Sequence, residues 1–64
     1  MSTDRLIALA IQQYEILSNP TLPDEFRTDA AFAHDKNMQE IDRRAAHGDP
    51  DAYEFMASEE YPAP

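Results

Sequence analysis

His34 and His47 are the two imidazoles of the chain, and Asp35 directly follows His34. An imidazole beside a carboxylate is the least from which a metal site or a general base can be built. A metal site needs three or four converging ligands, and on a helix the next ligand would stand four residues on. Met38 holds that position, so the spacing predicts that His34 lines a helix face and that His47 sits at a helix C-terminus. Ser2, Thr3, Ser18, Thr21, Thr28 and Ser58 fall mostly at expected helix ends, where a hydroxyl caps the backbone instead of acting as a nucleophile. The sequence has no glycine-rich phosphate loop and no elbow motif around a serine. With 13 acidic residues in 64, carboxylate pairs arise by chance. So short a chain also has little material for the dry concave pocket that tunes a catalytic pKa. The expectation is a protein that is not an enzyme and has no catalytic residue, cofactor or metal.

Charge carries more information. Residues 1–48 hold eight acidic and five basic side chains, net −3, whereas residues 49–64 hold five acidic side chains and no basic one, net −5. Phosphate neutralisation requires Lys and Arg, so direct binding of nucleic acid is not expected. A basic protein surface is the complementary partner, approached with electrostatic steering. Asp49, Asp51, Glu54, Glu59 and Glu60 would supply charge to that contact. Tyr53, Phe55 and Tyr61, interleaved among them, would supply the aromatic area of a hot spot. A solvated acidic face that only keeps a small protein dispersed has the same composition.

The elements that must position these residues begin with LIALAIQQYEIL, Leu6 to Leu17, the segment richest in large apolar side chains. On a helix, Leu6, Ile7, Ala10, Ile11, Tyr14 and Leu17 form one arc, which Leu9 and Ile16 widen. One packed face needs an arc of roughly 100°. This arc is about twice that, so the helix is expected to be covered on two sides, with Leu6, Leu9 and Ile16 available for self-association as a homodimer. Helix 1 is predicted over 4–18, with Ser2 or Thr3 as N-cap and Asn19-Pro20 as its stop. Helix 2 is predicted over 22–47, with Thr21 as N-cap and a bend or break near Thr28-Asp29. The break would reconcile the Leu22, Phe26, Ala30, Ala33 stripe with the Ala31, His34, Met38, Ile41, Ala45 stripe. Gly48 supplies a left-handed cap, and Asp49-Pro50 starts helix 3 over 50–59, with Tyr53, Met56 and Ala57 facing inward. The tail EEYPAP is expected to trail as extended chain.

The predicted fold is all-α: a small three-helix protein, a helical hairpin plus a short C-terminal helix, in one domain over 1–61 with a tail over 62–64. Gly48 is the only glycine and there is no valine, which disfavours β-hairpins. Leu, Ile, Val and Phe number 11 of 64 at a net charge of −8, so the fold is expected to be marginal and aided by association. The absence of cysteine suits a reducing compartment. The N-terminus lacks the basic n-region and cleavage site of a signal peptide, and no apolar run reaches the length of a membrane span. A cytoplasmic protein without membrane contact is expected, in the host cell if the chain is phage-encoded.

Ala45, Ala46, Gly48, Asp49 and Ala52, within RRAAHGDPDAYEF, resemble the helix–turn–helix connector of Sel1-like and related helical repeats. No second copy occurs, so the resemblance implies a helical hairpin and no repeat array. In being tiny, acidic and cysteine-free, the chain is also similar to phage-encoded antagonists, among them anti-CRISPR and anti-restriction proteins. The function this implies is a non-enzymatic inhibitor that occupies a basic, nucleic-acid-contacting surface of a host protein. The alternative is a structural or assembly protein, a helical oligomer or accessory subunit that works through the apolar face of helix 1.

Overall fold

The computed structural model describes residues 1–58, and among them it contains three helices and no strand. They are α1 (Thr3–Leu17), α2 (Asp24–Ala46) and α3 (Pro50–Ala57), a hairpin followed by a short third helix. Ser2 opens α1 from an extended backbone, its hydroxyl accepting the Arg5 amide at 3.3 Å, with Asp4 in the first turn where the helix dipole favours an anion. The Ser18 hydroxyl closes α1 by donating to the Tyr14 carbonyl at 2.7 Å. Among the described residues, no helix is long and apolar enough to cross a membrane.

α2 departs from the sequence expectation twice. Thr21 does not cap it. The Asn19 side-chain oxygen accepts from both the amide (3.0 Å) and the hydroxyl (2.7 Å) of Thr21, which consumes that residue in the turn. The helix starts later, at Asp24, with Pro23 as its N-cap and no side-chain cap bond. Nor does α2 break near Thr28-Asp29; it runs without interruption for 23 residues. Ala30 and Ile41 are eleven residues apart, about three turns, so both point the same way on one continuous helix and both are buried. The conflict between the two predicted stripes is resolved by leaving Phe26 on the surface, 56% exposed.

α2 ends in a Schellman turn. The Asp49 amide reaches back to the Arg44 carbonyl (3.0 Å) and the Gly48 amide to the Ala45 carbonyl (3.1 Å), with Gly48 at φ +97°. His47 is the cap residue, just beyond the helix. Pro50 then begins α3 where its missing N–H costs nothing.

The core is small. Leu6 and Ala10 of α1, Ile41 of α2 and Ala52 of α3 form its centre, with Ile7, Met38, Ala45 and Phe55 packed around them. Alanine at Ala10 and Ala52 lets three helix backbones converge on the large, fully buried side chain of Ile41. α3 therefore turns Ala52 and Phe55 inward. Tyr53, Met56 and Ala57, expected to face the core, are exposed instead. Towards the loop end of the hairpin, the Tyr14 and His34 rings pack at 5.9 Å. The Asn37 amide donates to the Gln13 side-chain oxygen at 2.7 Å, tying α2 to α1.

Candidate protein-binding surface on the third helix

The side chains that fix α3 come from all three helices. Asp49 caps it with one carboxylate oxygen, which accepts from the amides of Asp51 (3.0 Å) and Ala52 (3.2 Å). The other oxygen accepts from the Thr3 hydroxyl at the start of α1. Arg44, in the last turn of α2, donates to the Thr3 hydroxyl at 3.0 Å and to the Met1 carbonyl at 2.8 Å. The Thr3 hydroxyl holds the Asp49 carboxyl below the usual carboxylate range, assisted by the Ala52 amide and more weakly by the Arg44 charge. This chain of bonds sets the rotation of α3 about its axis. It thereby decides which side chains the helix presents to solvent.

Asp51 and Glu54, three residues apart, are neighbours on the exposed side of α3, and Tyr53, further round the helix beyond Glu54, is 67% exposed. Neither carboxylate forms an ion pair among the described residues. The nearby cations are engaged elsewhere. Arg43 grips Glu40 through two bonds of 2.8 and 2.7 Å, and Arg44 approaches the same carboxylate at 3.6 Å. These contacts, the Arg43 hydrogen bond foremost, pull the Glu40 pKa below its ordinary value. On α2, Asp35 and Asp42 stand three residues before and four after Met38, which, like Phe55 of α3, packs against the core. Helical spacing therefore brings two further exposed carboxylates to the flank that α3 covers.

No family model, curated protein or solved structure matches this chain. Of the residues expected to bind a partner through charge, Asp51 and Glu54 are exposed, while Asp49 is half-buried and committed to capping. Of the aromatics, Tyr53 is exposed and Phe55 packs against the core. Glu59, Glu60 and Tyr61 lie outside the described residues. Of the residues expected to mediate self-association, Leu9 and Ile16 are half-buried and retain exposed surface. Leu6 is 5% exposed and is spent on the chain's own core, so it offers nothing to a second copy. Sequence reasoning missed Asp35 and Asp42. Their seven-residue separation around Met38 was the available signal, but it acquires meaning only once α3 is known to lie on that side. Among the described residues no group of acidic or imidazole side chains is arranged to hold a metal ion. His34 is half-buried between helices, and burial lowers its pKa more than neighbouring Asp35 raises it.

Proposed function

We propose that this protein is a non-enzymatic, acidic binding module whose α3 face docks on a basic surface of another protein. It is an inhibitor of the phage-encoded kind, resembling anti-CRISPR and anti-restriction antagonists in size and charge. It would occupy a surface that otherwise contacts nucleic acid. The observation that carries the proposal is the exposure of Tyr53 on the same helix as Asp51 and Glu54, carboxylates with no ion pair among the described residues, on a helix held by the Thr3–Asp49–Arg44 junction. An aromatic ring held rigidly costs little entropy to bury. Carboxylates without internal partners lose no ion pair when they meet a cation.

The test is an affinity capture from source-cell lysate at about 50 mM and about 500 mM salt, over which the Debye length falls from roughly 14 to 4 Å. The wild-type chain is run beside an Asp51→Lys/Glu54→Lys double variant and a Tyr53→Ala variant. A basic nucleic-acid-binding protein that is captured at low salt, released at high salt and lost by both variants is the expected result. Capture that is indifferent to the charge reversal would sink the proposal. A partner that persists at high salt and ignores Tyr53 would move the function to the apolar faces of the hairpin, and so to an assembly role.

A further inference from the structure

α3 runs from the open end of the hairpin towards its loop. Asp49 meets Thr3 at the start of α1, and Ala52, one turn on, packs with Leu6, Ala10 and Ile41. At about 1.5 Å per helical residue, the path from Asp49 to Ser58 covers about 13 Å, and that from Thr3 to Tyr14 about 16 Å. α3 therefore ends close to the level of Tyr14. Beyond it the cleft between α1 and α2 continues. Tyr14 and His34 pack across that cleft with ring centroids 5.9 Å apart, and both are half-buried. Ala31, three residues before His34 on the same side of α2, is exposed at its rim.

The chain arrives at this point in a defined conformation. Ser58 closes α3 at φ −69° and ψ 133°, within the scatter of a polyproline II helix, and it is half-buried. The next six residues, EEYPAP, favour the same conformation. Pro62 and Pro64 fix their own φ near −65°, and Tyr61 and Ala63, each preceding a proline, are pushed out of the α region. A polyproline II helix repeats every three residues and rises about 3.1 Å per residue. Ser58, Tyr61 and Pro64 then share one edge, and Glu59 and Glu60 stand on the other two. Since the Ser58 edge faces the protein, the Tyr61 ring is aimed into the cleft about 9 Å further along, and both glutamates turn away from it.

We infer that residues 59–64 form a strap along the cleft between α1 and α2, with the Tyr61 ring seated on the Tyr14–His34 pair against Ala31. The strap adds an aromatic side chain to a core that has few large ones, and a third ring beside two already tilted rings suits the edge-to-face preference of aromatic groups. Tyr61 thus serves the stability of its own chain and is withdrawn from any partner contact. Glu59 and Glu60 carry the exposed carboxylates of α3 on towards the loop end of the hairpin. This assignment is independent of what α3 binds.

Nuclear Overhauser contacts in the full, isotopically labelled chain test this, with thermal melts followed by circular dichroism as a second readout. Contacts from the Tyr61 ring to the His34 ring and to the Ala31 methyl are expected. Tyr61→Ala should lower the melting temperature by roughly 4–8 °C, whereas Tyr61→Phe, which keeps the ring, should melt like the wild-type chain. Tyr53→Ala, which removes the exposed ring of α3, should not lower it. A Glu59→Gln/Glu60→Gln variant should retain the Tyr61 contacts. A Tyr61 ring without contacts to α1 or α2, or a Tyr61→Ala variant that melts like wild type, overturns the inference. Contacts to His34 from Glu59 or Glu60 in place of Tyr61 overturn the three-residue repeat, and the seating of Tyr61 with it.

Discussion

Among the described residues, Asp49 joins more elements than any other single carboxylate. It caps α3 with one oxygen and receives the Thr3 hydroxyl of α1 on the other. Both sets of bonds favour the charged form and hold its pKa below the ordinary value near 3.8. A depressed carboxylate pKa contributes stability that is complete above the unfolded-state value and is lost as pH falls through the folded-state value. The fold should therefore lose stability in acid below about pH 4. An Asp49→Asn variant should lower the melting temperature by several degrees at pH 7, and flatten that acid dependence. Thermal melts followed by circular dichroism from pH 2 to 7 measure both, and an acid limb unchanged in the variant would show that Asp49 is not its source. The capping role of Asp49 was legible from Asp-Pro after Gly48. Its bond to Thr3, 46 residues away, was not, because nothing local encodes the meeting of two helix ends.

At the level of elements, local chemistry specified helix ends well where one residue type dominates and poorly where two candidates compete. Ser2, Gly48 and Asp49-Pro50 act as their side chains and backbone preferences dictate. Thr21 was claimed by Asn19 before it could reach α2, and the helix began at a proline carbonyl instead. Thr28 sits exposed inside an uninterrupted helix, where a β-branched residue is a poor choice. Thr28→Ala should therefore stabilise the protein by roughly 0.5 kcal/mol. Urea unfolding decides the matter. Destabilisation would mean that Thr28 caps a separate helix after all, since removing a cap costs stability.

For the molecule as a whole, the governing fact is a core in which, among the described residues, Leu6 and Ile41 are the only buried side chains larger than alanine. A chain of this length is expected to be stable by about 3–9 kcal/mol in total. Ile41 is fully buried, and Ile41→Ala removes roughly 2–5 kcal/mol. That is enough to leave the variant largely unfolded at 37 °C. A cooperative melt close to that of the wild-type chain would mean that the core is larger than these helices provide. The same scarcity of core leaves Phe26 exposed and Leu9 and Ile16 only half-buried.

The sequence by itself determined the three helices, the hairpin, the short third helix, the acid-rich C-terminal quarter and most of the caps. These follow from 3.6-residue periodicity, proline and glycine placement and residue charge, all properties of neighbours along the chain. Only the tertiary structure decided which face of each helix is spent. Ala52 and Phe55 turned inward and Tyr53 outward because the Thr3–Asp49–Arg44 junction fixed the rotation of α3. Leu6 was absorbed because alanines at Ala10 and Ala52 drew three backbones together around Ile41. An apolar stripe wider than its partner surface leaves that choice open, and contacts between distant residues close it.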